Sequence, residues 1–455
     1  HFVHDGEPCA SPLLRLQEFG PSGEARDLEV SCDTCGKRRR MAEAFGDKNQ
    51  ENLPPCRGRR PHLREYDAEC GRKMRTLTLG ASNTWFPVVY SSVAIPVDSG
   101  KLPKLVDENW AAFKDVTAFV IVSYLRSQGK LGEAAEYSDE EIWEAIETRR
   151  RQDAGEIPPP SEQPDLKAPE WQVFTQFNPQ LNGEDFRLRP VSPPPQYRDY
   201  IDQVMLVERL REVRAMVGFT RLDAMGELTD PDLSVPVEPA PLARQMPEWV
   251  PASEVRGEGI FIQFNEEKIA AWEQQTAVDQ RAAQFVEAHQ KWRLARFIEP
   301  VEAGFPGMRY VLIHSFAHAL MRQLALESGY SAASIRERIY ARPTQKEGGP
   351  MAGLLIYTAA PDSEGTLGGL VSLGQPDVLE RHIAQALEAM RLCASDPLCA
   401  EHPPSLDGRT LHAAACHACQ LAPETSCERG NKYLDRSLLV PTVERGDLAF
   451  FKDEA

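Results

Sequence analysis

The chain has 455 residues, 42% of them apolar and 26% charged, with a formal charge of −17 at pH 7. That length holds about two to four domains with at least one sizeable core, and the composition is globular, which excludes a disordered chain or a disulfide-stapled miniprotein. The negative charge excludes a molecule whose whole surface coats DNA or an anionic membrane, so any nucleic-acid site has to be a local patch.

The opening HFVHDGEP has none of the basic, apolar and small-residue regions of a signal peptide. The longest apolar run, VTAFVIVSYL at 116–125, is about half of the roughly 20 residues that span a bilayer, so it is expected to be a buried helix. The expectation is a cytoplasmic protein without a membrane segment. In that compartment thiols stay reduced and clustered cysteines bind metal more often than they form disulfides.

Ten cysteines fall into two groups: Cys9, Cys32, Cys35, Cys56 and Cys70 at the start, and Cys393, Cys399, Cys416, Cys419 and Cys427 at the end. The first group holds CDTC at 32–35, the spacing at which one turn offers two thiolates to the same ion. Cys56 and Cys70 are expected to complete a tetrahedral zinc site, and the glycine after CDTC suits a turn with positive φ. From Cys32 to Arg75 there are twelve Lys or Arg against seven Asp or Glu, a local +5. Lys37, Arg38, Arg39, Arg40, Arg57, Arg59, Arg60 and Arg64 follow the proposed ligands closely, and basic side chains beside a metal-fixed turn suit salt-sensitive binding to DNA phosphates. A solvated face or a patch docking an acidic protein remains the alternative.

Residues 76–96 read as strand and loop, and 105–155 as helices, the second starting at an N-cap Ser138 with acids in its first turn. Prolines then crowd IPPPSEQPDLKAP, RPVSPPPQ and VPVEPAPLARQMP into extended connections, with one helix, YRDYIDQVMLVERLREVRAMVG, between them. From about residue 250, GIFIQF reads as a strand, EEKIAAWEQQTAVDQRAAQFVEAHQKWRLARF as a helix, MRYVLIHSFAHALMRQLALESG as another, GLLIYTAA as a buried strand and PDVLERHIAQALEAMRLC as a helix. The fold class is therefore mixed α/β and multidomain: residues 1–80 a basic zinc module, 81–249 a helical and proline-rich linking region, 250–455 an α/β domain ending in a second zinc site.

No Gly-x-x-x-x-Gly-Lys-Ser/Thr loop occurs, so the chain carries no NTPase loop of the usual kind. HSFAH puts His314 and His318 on one face of a helix, but the glutamate that metalloproteases place after the first histidine is Ser315 here. A buried hydrogen-bonded pair is the simpler reading. The loop TAAPDSEGTLGGL adds Asp362 and Glu364 after a strand, where α/β proteins tend to place ligands, so His314, His318, Asp362 and Glu364 are the candidates for a hidden active site. The terminal CHAC at 416–419 forms the core of the second metal site, with Cys399 and Cys427 completing a quartet and Cys393 as a replacement; His402, His412 and His417 are further candidates. Closed four-cysteine sites stabilise folds and do not catalyse, so two structural zinc ions are expected.

LVERLREVRAMVGFTRL, HSFAHALMRQLALESGY, LLIYTAAPDSEGTLGGL and the terminal DPLC with ACHACQLAPETSCERGNKYLDRSLL together resemble the helicase-associated domain at the C-terminus of MrfA-type repair helicases. CDTCGKRRR, CRGRRPHLREYDAEC and GASNTWFPVVYSSVAIP are similar to the DrmB family of DISARM anti-phage defence. The resemblance runs over about residues 30–440. It implies a non-motor partner of a DrmA-like superfamily-2 helicase, which supplies ATP hydrolysis, working on DNA alongside a DNA methyltransferase. It also implies a metal on Cys399, Cys416, Cys419 and Cys427, and no established reaction in the chain itself. Two other classes compete with this reading: a metal-dependent hydrolase or nuclease built on the two histidines and the acidic loop, and a protein scaffold that never touches DNA.

Overall fold

Short, polar, cysteine-bearing segments and long apolar runs sort into different parts of the chain. A computed structural model describes residues 3–4, 7–10, 13–18, 28–40, 55–56, 58–66, 70, 86–95, 101–153, 165–220, 239–245, 247–296, 298–344, 346, 348–358, 369–404, 410–443 and 445–452. The chain is a mixture of helices and antiparallel sheets in two units, one of residues 1–87, 218–223 and 239–249, the other of 88–217, 224–238 and 250–455.

The first unit is built from small ladders. Strands β1 (Val3–His4) and β2 (Glu7–Pro8) pair with each other, and β3 (Leu14–Glu18), β4 (Leu28–Cys32) and β5 (Arg38–Arg40) form a three-stranded antiparallel sheet. The turn between β4 and β5 is CDTCG: Gly36 N–H donates to Cys32 O at 2.8 Å, Cys32 N–H donates to Lys37 O at 2.9 Å, and Gly36 has φ +68°. A side chain is disfavoured at that φ, which is why glycine follows the second cysteine. Strands β6 (Arg59–Arg60) and β7 (Glu65–Tyr66) make a hairpin. Its turn is held by Arg244, whose guanidinium donates to Leu63 O at 2.9 and 2.6 Å.

The second unit begins within β8 (Phe86–Val93), at Val88, and continues with helices α1 (Lys101–Glu108), α2 (Trp110–Phe113), α3 (Phe119–Ser127) and α4 (Asp139–Asp153). These helices share a core of Val106, Phe113, Val116, Val122, Ile142 and Ile146. The α4 start is a reciprocal cap: Glu141 N–H donates to Ser138 Oγ at 3.2 Å and Ser138 N–H to Glu141 Oε2 at 2.7 Å. The run at 116–125 is helical only from Phe119, and it is not a buried helix. Val122 is buried, but Val120 and Tyr124 are 69% and 61% exposed, because a helix of nine residues packed on one side covers one face.

Next come α5 (Lys167–Thr175), β9 (Arg187–Val191) and β10 (Ile201–Thr220). The expected helix at 197–218 is thus a 20-residue strand. VMLV at 204–207 alternates between two cores, Val204 and Leu206 into one and Met205 and Val207 into the other. Its edges are taken by β9 and β8 on one side and by β12 (Ala252–Phe264) on the other, after β11 (Ala240–Pro241), which pairs with Gly218–Phe219. Sheet pairing on both edges overrides the helical propensity of Leu, Glu and Arg.

Helices α6 (Glu266–Glu273), α7 (Thr276–Leu294) and α8 (Met308–Ser328) follow, then β13 (Ile335–Arg342), β14 (Met351–Thr358), α9 (Gly369–Leu373) and α10 (Pro376–Arg391). The single helix expected over 266–297 is two, broken at Gln274–Gln275. The sheet runs β10, β12, β14, β13, all antiparallel. One face (Leu206, Ile260, Ile262, Leu354, Ile356, Ile339) lies under α8 and α10; the other (Met205, Phe261, Leu355, Tyr357, Tyr340) packs on Phe174 of α5 and on Phe186. A sheet covered on both faces explains why its strands read as nearly continuous apolar runs. Helix α8 is buried all round from Met308 to Met321, and its end is marked by Gly329 at φ +74°.

Candidate metal centres

In the first unit the β4–β5 turn brings Cys32 and Cys35 together, and Cys9 joins them, with Cys9 Sγ 3.9 Å from Cys32 Sγ and the three sulfurs within 4.8 Å of one another. Backbone amides of Cys35 and Thr34 lower the Cys32 thiol to about 7 against the opposing effect of burial. Amides aimed at a sulfur are what a zinc knuckle uses to favour thiolate. Cys56 and Cys70, expected as the remaining ligands, stand outside this group. Cys56 Sγ instead accepts the Gly58 N–H at 3.3 Å. Sequence spacing does not point to Cys9, which lies 23 residues before Cys32 and carries no motif; strand β3 between them makes the approach.

Arg38, Arg39, Arg40, Arg59 and Arg64 are exposed, Lys37 and Arg60 are half-buried, and they are not arranged as one comb. Arg38, Arg39 and Arg40 lie on β5, so successive side chains point to opposite faces, and Arg38 lies 3.7 Å from Glu29. Arg59 and Arg60 are on β6, with Arg59 over the Tyr66 ring at 6.0 Å, and Arg64 sits in the hairpin turn at φ +55°. Arg57 lies outside the described residues, as do Asp362 and Glu364 of the glycine-rich loop.

At the other end, the cysteines that meet are Cys393, Cys399, Cys416 and Cys419. Sγ separations are 3.4 Å for Cys393 to Cys416, 3.7 Å for Cys399 to Cys419 and 3.7 Å for Cys416 to Cys419. Four sulfurs at about 2.3 Å from a tetrahedral zinc stand roughly 3.8 Å apart, so this set fits the ion. Burial pushes the Cys399 thiol up to about 11 and the Cys419 thiol further still. Burial also opposes ionisation of Cys416, yet the Ala418 amide and the Cys393 side chain bring it down to about 7. So many thiols in one place cannot all ionise without a cation to balance them. The loop after α10 is positioned by Arg436, which donates to the helix-end carbonyls of Met390 (2.6 Å) and Arg391 (3.1 Å) and pairs with Asp396. Asp396 in turn accepts the Cys393 N–H at 2.7 Å. Cys393 thus takes the place that sequence spacing gave to Cys427, and His402, His412 and His417 stay outside the quartet.

Cys427 belongs to another cluster. It lies with His314 and His318 of α8 and Glu337 of β13, all 4% exposed or less. His314 Nε2 is 2.9 Å from Glu337 Oε1 and 3.1 Å from Cys427 Sγ; His318 Nε2 is 3.3 Å from the same carboxylate oxygen. Burial favours neutral imidazoles, but Glu337 and Cys427 outweigh it, raising His314 to about 9 and His318 well above its ordinary value. Despite burial, Glu337 falls below the usual carboxylate range under the influence of both histidines. Both rings are buried, His314 at 0% and His318 at 2% exposure.

Strand β13 explains how so much charge is buried. IRERIYAR alternates, so Ile335, Glu337 and Ile339 face α8 while Arg336, Arg338 and Tyr340 face α5. Arg338, fully buried, makes a paired contact with Glu170 (2.5 and 2.7 Å) and reaches Ser91 O at 3.1 Å. Tyr340 Oη donates to Glu170 at 2.9 Å and Val93 N–H does so at 3.0 Å.

Residues 316–420 match the family described as the MrfA Zn-binding domain, and residues 1–86 match a domain of unknown function, DUF8724. The chain is 35% identical over 447 residues to DISARM protein DrmB of Bacillus paralicheniformis, an alignment covering 96% of this chain and 77% of that protein. The chain belongs to the DrmB family. In this DrmB-family chain the zinc-binding stretch encloses Cys393, Cys399, Cys416 and Cys419 and ends before Cys427, in agreement with the geometry of the quartet. No helix among the described residues is long and apolar enough to cross a membrane.

Proposed function

We propose that this chain is the non-motor subunit of a cytoplasmic DISARM-type anti-phage complex. It pairs with a DrmA-like superfamily-2 helicase, acts alongside a DNA methyltransferase, and adds phosphate contacts to DNA while the helicase hydrolyses ATP. The observation that carries this reading is the 35% identity to a DISARM DrmB over 96% of the chain. Its support within the molecule is local: exposed arginines on two short ladders of the first unit, one of which leads directly out of the Cys32–Cys35 turn, in a chain of net charge −17. Sequence-independent phosphate contact asks for that distribution, positive side chains on a rigid local support. The two cysteine clusters, each all-sulfur among the described residues, serve as structural zinc supports in this scheme.

The test is DNA affinity of the helicase pair, measured by fluorescence anisotropy across a salt series, with the full chain carrying Arg38→Ala, Arg39→Ala and Arg40→Ala. Binding should weaken, and the slope of log affinity against log salt should flatten by about 0.9 for each phosphate that the arginines no longer neutralise. ATP binding by the helicase should persist. Unchanged DNA affinity refutes the role of these arginines, and salt-insensitive assembly with no DNA binding makes the chain a scaffold. DNA cleavage that disappears in His314→Ala would replace both readings with an enzyme.

A further inference from the structure

Beyond the two cysteine clusters, the buried group that joins α8, β13 and the turn at Cys427 has the donor set of another metal site. His314, His318, Glu337 and Cys427 offer two imidazole nitrogens, a carboxylate oxygen and a sulfur, all within 4.8 Å of one another. Bonds of about 2.0 to 2.3 Å at tetrahedral angles separate ligand atoms by roughly 3.3 to 3.8 Å. The separations of 2.9, 3.1 and 3.3 Å among these donors lie at the short edge of that frame or a few tenths of an ångström inside it, so a small outward shift of the side chains would seat the ion.

The atoms around the donors orient them as ligands. His314 Nδ1 lies 3.2 Å from Tyr433 O, and His318 Nδ1 lies 2.8 Å from Gln420 O. A carbonyl at Nδ1 keeps the ring proton there and leaves the Nε2 lone pair aimed into the cluster, the arrangement that accompanies metal-bound histidine. Asn431 N–H donates to Cys427 Sγ at 3.1 Å, which favours the thiolate. Glu337 Oε2 is buried and has no hydrogen-bond partner among the described residues. Two protonated imidazoles would balance the charge of one carboxylate and one thiolate, but both Nε2 atoms address Oε1 and leave Oε2 without a donor. A divalent cation with two neutral imidazoles gives the same balance and reaches the carboxylate as a whole.

We propose that His314, His318, Glu337 and Cys427 bind a divalent ion, with the mixed nitrogen, oxygen and sulfur set selecting zinc. The site is closed and buried, so the ion is structural: it pins helix α8 and strand β13 to the C-terminal segment. It also accounts for the parting of Cys427 from its neighbours in sequence. The quartet is complete without it, and the histidines need it.

The test uses the full-length protein and does not depend on its pairing with a helicase or DNA. Zinc per chain and the zinc X-ray absorption fine structure are measured on the wild type, on Cys416→Ser/Cys419→Ser, on Glu337→Gln and on Cys427→Ser. The expected wild-type spectrum has nitrogen and oxygen neighbours at about 2.0 to 2.1 Å as well as sulfur at about 2.3 Å. Glu337→Gln and Cys427→Ser should each lose one ion and the nitrogen shell, whereas the double serine variant should lose one ion and keep that shell. A sulfur-only shell in the wild type overturns the proposal, and this measurement stands even where a variant fails to fold. Unchanged zinc content and nitrogen shell in both soluble single variants overturns it as well.

Discussion

Arg338 lies at the centre of the most heavily charged part of the core, and its worth depends on what remains when it is removed. Arg338→Met leaves Glu170 buried with Val93 N–H and Tyr340 Oη as its remaining donors among the described residues. Burial already holds the Glu170 carboxyl above the usual range and Arg338 is the main force opposing it, so the variant should cost roughly 3 to 5 kcal/mol of stability. Urea unfolding measures this, and Arg338→Met/Glu170→Leu should recover much of the loss; equal instability in the two variants would show that packing and not charge is responsible. His289 supplies a pH dependence. Its ring nitrogens face Tyr433 Oη and Ala303 O at 2.8 Å each, and burial, with Arg293 and Arg429 nearby, lowers its pKa below the ordinary value of 6.5. The unfolded imidazole therefore takes up a proton at higher pH than the folded one. The stability tied to His289 is complete above about pH 6.5 and is lost as pH falls through the depressed value. His382 and His412 are shifted the same way by burial, so the readout is a difference: the urea midpoint of His289→Gln should fall less steeply than the wild type below pH 6.5.

At the scale of elements, close approach between strands is the most exacting feature. A Cβ placed on Gly257 of β12 would lie 1.6 Å from Thr358 O at the end of β14, a backbone atom with no freedom to swing away. Gly257→Ala should therefore destabilise by at least the roughly 1 to 3 kcal/mol of ordinary overpacking, seen as a lower thermal midpoint, and an unchanged midpoint would mean that the two strands separate easily there. Legibility in the sequence follows the same physics. GIFIQF and GLLIYTAA are readable as strands because both faces are buried, and α4 is readable from Ser138 and Glu141 because capping is local. β10 is not, since LVERLREVR has helical composition and only the two neighbouring strands decide otherwise. β13 escapes a reading by pattern because IRERIYAR looks like surface sequence, and its charges are tolerated only through partners far along the chain: Glu170 for Arg338, and His314 and His318 for Glu337. The metal sites show the same split. CDTC and CHAC are legible as local turns, whereas the approach of Cys9 and Cys393 and the neighbours of Cys427 depend on how the strands and α8 are brought together.

At the scale of the whole molecule the two units are stabilised by different means, and metal removal should separate them. The second unit has a sheet covered on both faces and helices α7, α8 and α10 packed over one of them, burial that contributes about 1.5 to 3 kcal/mol for each large apolar side chain. Among the described residues of 1–87, Cys32 and Leu63 are the buried apolar ones, and ladders of two to five residues carry most of the order. Where the described ladders bury so little apolar surface, what the thiolates bind is expected to hold them, and losing a structural zinc should then release the turn it fixes. Treatment with a strong chelator, followed by hydrogen exchange read by mass spectrometry, should release the amides of 28–40 early while those of β12 and β14 remain protected. Residues 410–443 should respond in between, because Arg436 and the packing against α8 hold them after the quartet is emptied. Protection of 28–40 that survives complete zinc removal would show that the first unit is stabilised by something other than its Cys9, Cys32 and Cys35 cluster. Under the proposed function, the arginines of β5 would then keep their support without metal, and any DNA binding they supply would be insensitive to the chelator.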